Sequence, residues 1–237
     1  ASESNDLKEN EGIETQIIDK SDQKNEINSD LYHGGVVFPQ HASLNAAKYH
    51  KDLIEKAIGL GVSVISNCEM VDFKKKLDEF SVLTNKGPLK ANNLVVATNG
   101  YTSNVTPWLN KRNIPIGSYV IATEELPINY ISSLFPTNRH ITDTCRVVYY
   151  FRPSPDRKRI IFGGRVSSRE IGLSKSAPLL LKDLKRGFPD LPELKISHSW
   201  MGYVSYTFDH LPHTGSEDGL YYSMGYCGSG IALSSYL

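Results

Sequence analysis

Residues 219–233 read GLYYSMGYCGSGIAL, a strand-like run that leads into spaced glycines and then into the expected start of a helix. A strand–loop–helix turn of this kind presents free backbone N–H groups and the positive end of a helix dipole, which favour anionic groups. The alternative is a plain glycine turn. The G-x-G-x-x-G fingerprint of dinucleotide sites occurs nowhere in the chain, so spacing alone does not identify the ligand.

A second segment, residues 93–101, reads NLVVATNGY and predicts a buried strand that ends in small polar residues. Ligands of open α/β sheets bind at such strand ends, where small side chains let a ligand approach the backbone. Taken alone, the segment is equally compatible with an ordinary strand followed by a turn.

The rest of the chain predicts helices and short strands in alternation. Helical spacing of apolar residues predicts a helix from residue 46 to about residue 60, and a second helix is expected to open at Pro178 and end before Pro189. Residues 153–156 are expected to form a hairpin turn. The expected strands are residues 62–66, 80–84, 94–98, 116–123, 146–152 and 159–162. This alternation predicts an α/β (α+β) fold.

Composition narrows the class of partner. The 26 basic and 26 acidic residues cancel, which disfavours nucleic acid and a polybasic membrane surface and favours a small molecule. Three cysteines without a CxxC pair argue for a reducing, cytoplasmic location. No apolar run is long enough to span a bilayer, and the first residues carry no signal pattern.

A third segment carries a resemblance to a known family. Residues 198–215 read HSWMGYVSYTFDHLPHTG, which contains Trp-x-Gly and then Thr-x-Asp-x-x-Pro-x-x-Gly. Followed by the glycine loop, this pattern resembles the C-terminal cofactor signature of D-amino-acid oxidase-like FAD oxidoreductases, which include sarcosine, glycine and γ-glutamylputrescine oxidases. Residues 93–101 and residues 162–165 (FGGR) match two further signatures in the family's order. The resemblance runs from about residue 33 to residue 237.

The resemblance implies a partial FAD-binding α/β domain interleaved with a substrate domain built on a mixed β-sheet. The FAD-binding parts are expected at residues 32–110 and 196–237, and the substrate domain at 111–195. Residues 1–31 are expected to be a polar peripheral segment, and residues 1–45 could also contribute to the substrate domain. The residues that the resemblance places at the cofactor are Met70, Ala97, Thr98, Asn99, Gly225, Gly228, Ser229, Gly230 and Ile231.

Two departures from the family pattern matter. The family's opening strand and glycine fingerprint, which hold the ADP half of FAD, are expected before residue 1, so this chain alone is expected to bind FAD weakly or not at all. Val204 stands where the α-amino-acid oxidases place an arginine that pairs with the substrate carboxylate. The resemblance is therefore nearest to the γ-glutamylputrescine oxidase-like amine oxidases.

Candidate substrate residues lie on the strand expected at 146–152. Period two places Tyr150 and Arg152 on one face and Tyr149 on the other. The resemblance implies that one face covers the flavin, so Tyr150 and Arg152 are catalytic candidates, and Tyr149 and Arg165 join them as substrate-binding candidates. A solvent-facing edge strand is the equal alternative. No metal site is expected, since His210 and His213 lack a nearby set of further ligands.

These observations predict a parent enzyme that oxidises the C–N bond of an amine or amino acid by hydride transfer to flavin. Such chemistry requires alignment and desolvation of the amine and no obligatory acid–base residue, which suits the lack of a clear triad. The alternative is a stable fragment or binding module that keeps the fold without the cofactor.

Overall fold

The computed structural model describes residues 2–145, 147–167 and 169–237, with side chains from residue 6 onward. The chain divides into two compact units. Unit 1 consists of Ala1–Asn45 and Ser118–Met201, and unit 2 of Ala46–Gly117 and Gly202–Leu237. Both contain helices and β-sheet, which confirms the expected α/β class.

The helices and strands of the described residues are as follows. The α-helices are α1 (Ser2–Glu11), α2 (Ala46–Gly59), α3 (Pro107–Asn110), α4 (Ile128–Leu134), α5 (Leu173–Gly187) and α6 (Gly230–Tyr236). The strands are β1 (Gln16–Ile18), β2 (Gly35–Val37), β3 (Met70–Lys76), β4 (Glu79–Thr84), β5 (Gly87–Ala91), β6 (Leu94–Val96), β7 (Ile114–Thr123), β8 (Ile141–Thr142), β9 (Tyr149–Pro153), β10 (Ile160–Gly164), β11 (Ile196–Tyr206), β12 (His213–Glu217) and β13 (Leu220–Met224).

The core of unit 1 forms around one face of a five-stranded sheet with strand order β11-β7-β10-β9-β8. The unit boundaries fall within β7 and β11. Strand β10 pairs antiparallel with both β7 and β9. Phe151 and Phe162 stack across β9 and β10, and Leu180 and Leu184 of α5 are fully buried in the same core cluster. The amphipathic helix α5 thus contributes a buried apolar face to the core.

Two glycines in β10 make room for two tyrosine rings in β9. Gly164 lies opposite Tyr149 and Gly163 lies opposite Tyr150. Each tyrosine ring covers the glycine across from it, because a Cβ on either glycine would meet ring carbons well inside van der Waals distance. A glycine removes cross-strand bulk where a large aromatic ring must lie flat on the sheet. This packing accounts for the Gly163-Gly164 pair without any ligand.

Unit 2 contains two three-stranded sheets. In one, with order β12-β13-β6, β13 pairs antiparallel with β12 and parallel with β6. The other, β3-β4-β5, is an antiparallel meander. The small core at β6 and β13 contains Val96, Leu109 and Met224, with Leu94, Leu220 and Tyr222 packed against it. The ring of Trp108 in α3 lies 5.5 Å from that of Tyr222.

Most of the expected elements are present. Helix α2 confirms the helix expected at 46–60, and β4, β6, β7, β9 and β10 lie in the expected strands. The turn at residues 153–156 joins β9 to β10 as expected. Strand β9 begins at Tyr149 rather than at residue 146, and Arg146 itself lies outside the described residues. Residues 1–31 were expected to be peripheral, and Ile27 within them is buried in the unit 1 core.

Two expectations were wrong. Residues 62–66 form no strand, because none of the described strands offers their backbone groups a hydrogen-bonding neighbour. Helix α5 begins at Leu173, five residues before the expected start, and contains Pro178 in its interior. Pro178 cannot donate a helical hydrogen bond. Burial of Leu180 and Leu184 offsets that loss, so packing overrides the local signal.

Substituting Gly164 by alanine tests the glycine–tyrosine packing. The new Cβ would lie 2.6 Å from Cδ1 of Tyr149, whose ring stacks on Phe162 and whose hydroxyl is hydrogen-bonded to Asp183. Because the ring is held on both sides, we expect the intact protein to lose about 1–3 kcal/mol of unfolding free energy. Denaturant unfolding measures this. Gly35→Ala, where a Cβ meets open space, is the matched control, and equal stability of both variants would contradict the packing.

Candidate cofactor-binding site

The two segments predicted to bind a cofactor meet in unit 2. Strands β6 and β13 are parallel neighbours, with Val96 opposite Tyr222, so their carboxyl ends lie at the same edge of the sheet. The side-chain oxygen Oδ1 of Asn99, just after β6, accepts a 3.2 Å hydrogen bond from the backbone N–H of Gly225, just after β13. The structure therefore brings residues 97–99 and the glycine loop together.

The loop after β13 has an unusual backbone. Gly225, Cys227 and Gly228 have φ angles of 78°, 51° and 99°, in the left-handed region that favours glycine. A Cβ on Gly228 would meet no protein atom within 4 Å. Helix α6 begins at Gly230, so the N–H groups of its first turn have no acceptor within the helix. The first turn of α6 therefore offers N–H groups without a helical acceptor, whereas the N–H groups of Gly225, Cys227 and Ser229 are already hydrogen-bonded within the protein.

Of the remaining predicted cofactor residues, four lie in the segments that follow β6 and β13, and Met70 lies on a different sheet. Ala97 and Thr98 are exposed, and the Thr98 hydroxyl shares a 2.8 Å hydrogen bond with that of Thr102. Ser229 is the residue before α6, and Ile231 in its first turn is exposed. Met70 begins β3 in the antiparallel meander, so the parallel strand pair does not position it.

Sequence reasoning missed two buried polar residues beneath this loop. Asn113 donates from Nδ2 to the carbonyl oxygen of Asn99 at 3.1 Å, and its Oδ1 accepts from the hydroxyl of Ser205 at 2.5 Å. The carbonyl oxygen of Ser205 accepts from the N–H of Cys227 at 3.0 Å. No motif indicates these residues, because Asn113 and Ser205 are 92 positions apart in the chain.

The Thr-x-Asp-x-x-Pro segment forms a turn beside the glycine loop, where the hydroxyl of Thr207 lies 3.8 Å from Sγ of Cys227. The hydroxyl of Thr207 donates to the carbonyl oxygen of Leu211 at 2.8 Å, and the carboxylate of Asp209 accepts from the N–H of Leu211 and from Nε2 of His213. The hydrogen bond with His213, and then the one with Leu211, lower the pKa of Asp209 to about 2. The motif thus has a structural role in shaping the turn.

Among the described residues, no group of three or more His, Cys, Asp or Glu side chains could hold a metal ion. His213 binds Asp209, and the ring of His210 packs edge-on against Tyr206.

A cleft of about 240 Å³ opens in unit 2 between α3 and this turn. The cleft is lined by apolar side chains and by the Arg112 guanidinium. This guanidinium lies 3.9 Å from the centre of the Trp108 ring. The cleft reaches Met224, the last residue of β13 before the glycine loop. Its lining residues are Trp108, Arg112, Thr207, Phe208, Asp209, His213, Tyr222 and Met224.

The candidate substrate residues lie in unit 1. Tyr149 faces α5, where its hydroxyl donates to Asp183 at 2.7 Å, and burial followed by this hydrogen bond raises its pKa to about 12. Tyr150 and Arg152 lie on the opposite face of β9. The Tyr150 hydroxyl is hydrogen-bonded to Ser118, and Nη2 of Arg152 donates to the carbonyl oxygen of Leu44 at 3.2 Å. Tyr149 therefore does not share a face with the other two.

Two further titratable side chains, Arg165 and His140, lie in the same unit. Arg165, immediately after β10, is 3.8 Å from the carboxylate of Glu170, which also accepts a hydrogen bond from Tyr119. His140 was not anticipated from the sequence. Desolvation and then the positive charge of Arg152 lower its pKa, which favours the neutral imidazole. The Tyr150 face of β9 thus combines a phenol and a guanidinium with an imidazole nearby.

A family model and the curated relatives of this chain point to the same protein family. The model of the family described as FAD dependent oxidoreductase (DAO) matches residues 1–237. Gamma-glutamylputrescine oxidoreductase of Escherichia coli is 30% identical over 223 residues, which cover 91% of this chain and 51% of that protein. A probable oxidoreductase, OrdL, of Haemophilus influenzae is 28% identical over 224 residues, covering 92% and 51%. The chain spans about half the length of these curated relatives.

Solved structures show the same fold. Glycine oxidase from Geobacillus kaustophilus superposes with a TM-score of 0.78 at 17% identity, covering 97% of this chain and 62% of that one. L-proline dehydrogenase from P. horikoshii gives a TM-score of 0.74 at 18% identity, covering 94% and 62%. At these identities the likeness concerns the fold. Within the described residues, no helix is both long enough and apolar enough to cross a membrane.

The titration of Asp209 tests the geometry of the turn. We expect its carboxyl carbon, followed by NMR in the intact protein, to titrate near pH 2 rather than near the ordinary value of 3.8. Because the folded pKa is lowered, the stabilising contribution of this group is complete above about pH 4 and is lost as pH falls through about 2. His213→Ala removes the largest cause and should raise the midpoint. An unchanged midpoint in that variant would refute the assigned hydrogen bond.

Proposed function

This chain belongs to the FAD dependent oxidoreductase family, and on that premise we propose that the whole protein uses FAD to oxidise the C–N bond of an amine or amino acid. One observation carries the proposal most directly. The Asn99–Gly225 hydrogen bond joins the ends of two parallel strands beside a loop with left-handed backbone and the start of α6. Strand ends of this kind are where α/β proteins bind cofactors.

The residues present fit a flavin. A Cβ would fill open space at Gly228, so a flat ring can approach the backbone there, and the first-turn N–H groups of α6 can donate to anionic or carbonyl oxygens. We assign Gly225, Gly228, Ser229, Gly230 and Ile231 to the flavin-ring side of the cofactor, with Met70, Ala97, Thr98 and Asn99 toward its adenine and diphosphate side. When bound, FAD supplies the acceptor for a hydride from the amine carbon.

An uncovered sheet face supports the idea that further polypeptide completes the site. Val95 and Tyr221 are cross-strand neighbours on one face of the parallel pair, and 66% and 45% of their surfaces are exposed. Parallel sheets are normally covered on both faces. About half the length of the curated relatives has no counterpart in these 237 residues. We propose that a dinucleotide-binding segment covers this face and that the isolated chain binds FAD weakly.

Two positions bear on the substrate class: Val204, which carries no charge, and Arg152, which carries a positive one. Val204 lies on β11, where an arginine would give a bidentate partner for an α-carboxylate, and valine cannot do so. In unit 1, Tyr150 and Arg152 share the face of β9 that points away from α5. We propose that this face contacts the substrate, with Arg152 recognising an acidic group distant from the oxidised nitrogen. Desolvation by Tyr150 would favour the neutral amine that donates hydride.

Substituting Gly230 by alanine in the full-length protein tests whether the loop contacts FAD. The new Cβ would be 3.6 Å from the Tyr226 side chain, an ordinary contact, and alanine favours helix α6, so folding should be unaffected. A ring that packs on this glycine would be displaced, and we expect FAD affinity to fall at least about tenfold, equivalent to about 1.4 kcal/mol. Absorbance titration with FAD and a thermal melt measure the two effects.

The matched control for this test is Gly59→Ala, which adds a methyl group in open space at the end of α2. It should leave FAD affinity unchanged. Normal affinity in Gly230→Ala would remove the loop from the cofactor site. A full-length wild-type protein without bound or bindable flavin would favour a non-catalytic binding module instead.

The substrate proposal predicts a preference for amines. Because Val204 cannot clamp a carboxylate, steady-state turnover of the full-length protein on γ-glutamylputrescine or another alkylamine should exceed turnover on D-alanine by at least about tenfold in kcat/KM. Val204→Arg should reduce this difference in kcat/KM by lowering the KM for D-alanine. Val204→Leu is the size control and should not. Faster turnover of D-alanine by the wild-type protein would overturn the proposal.

A further inference from the structure

A buried chain of hydrogen bonds lies beneath the glycine loop. It runs from the hydroxyl of Ser205 to Oδ1 of Asn113 and from Nδ2 of Asn113 to the carbonyl oxygen of Asn99. From there the side chain of Asn99 reaches the N–H of Gly225, and the backbone carbonyl of Ser205 holds the N–H of Cys227. The loop is thus fixed at two backbone N–H groups, both tied to this chain.

Burial restricts the side chains of Asn113 and Ser205 to the conformations that make these hydrogen bonds. Asn113 is 7% exposed and Ser205 is 0% exposed, so neither side chain can replace a lost partner with bulk water. A buried polar group without a partner is unfavourable, which forces both side chains to keep this arrangement. Asn113 is suited to its position because its amide donates and accepts at once, whereas an aspartate could only accept.

The backbone that these bonds fix is strained for ordinary residues. Asn99 and Cys227 have φ angles of 45° and 51°, in a region of backbone conformation that residues other than glycine adopt only uncommonly. Such conformations persist where surrounding contacts over-determine them, and they cluster at binding sites. In the present case the contacts come from the amide of Asn113 and the carbonyl of Ser205.

We infer that Asn113 and Ser205 are positioning residues, which act through Asn99 and Cys227 to hold the glycine loop in the shape that receives the flavin. This inference rests on the proposed function of the loop. Neither residue is required to touch the cofactor. Their role is to hold the backbone of the loop in one shape before the ligand binds, which lowers the cost of ordering on binding.

The test uses Ser205→Ala, Asn113→Ala and the double variant in the full-length protein. Ser205→Ala removes one hydroxyl with little change in volume, so it should fold even if Asn113→Ala does not. We expect each single variant to weaken FAD binding about 10-fold or more, as observed when groups that orient metal ligands are removed. The double variant should be little worse than the worse single, because the two side chains share one bond.

Two readouts separate positioning from a general loss of stability. Amide hydrogen exchange at Gly225, whose acceptor belongs to Asn99, should accelerate in the variants when measured without FAD, while exchange in the β3–β4–β5 sheet stays unchanged. In the flavin-bound protein, the visible spectrum and reduction potential should shift. A purely structural role would lower the melting temperature with unchanged spectrum and potential in the folded fraction, and that result would overturn the inference.

The matched control is Asn104→Ala. Asn104 is an exposed asparagine of the same unit that accepts a 2.8 Å hydrogen bond from Asn110, with no connection to the loop. It should change neither exchange nor spectrum. Unchanged exchange at Gly225 in Ser205→Ala would also overturn the inference. A wild-type protein that binds no flavin would refute the proposed function, whereas the exchange result would still decide whether Asn113 and Ser205 fix the loop.

Discussion

The parallel pairing of β6 with β13 is the constraint on which the candidate cofactor site depends. These strands are more than 100 positions apart in the chain, at 94–96 and 220–224, and their register places Val96 beside Tyr222. Because both strands end at the same edge, Asn99 can reach the N–H of Gly225. Without that alignment the glycine loop would be an ordinary connection, since its own residues do not fix its left-handed backbone.

In unit 1, the corresponding constraint is steric. Gly163 and Gly164 remove side-chain bulk where the rings of Tyr150 and Tyr149 lie on the sheet. One tyrosine then anchors helix α5 through Asp183, while the other stays on the opposite face with Arg152. The same glycine pair therefore supports the core on one side and a chemically distinctive surface on the other.

The parallel pair β6 and β13 exposes apolar side chains to solvent, which is unfavourable for the chain by itself. One face, which carries Val96 and Met224, packs against Leu109, whereas the face that carries Val95 and Tyr221 is largely exposed. The curated relatives are about twice as long as the segment that matches this chain, which accords with our proposal that further polypeptide covers this face.

The sequence by itself determined the family, the α/β class and the two segments at the candidate site, because these depend on local patterns: helical periodicity, strand ends and spaced glycines. It also located Tyr150 and Arg152 on one face of a strand, since period two is a local property. It could not show that Pro178 lies inside α5, because burial of Leu180 and Leu184 overrides the local signal. Only the tertiary structure revealed Asn113 and Ser205, since hydrogen bonds between residues 92 positions apart leave no spacing that a sequence pattern can detect.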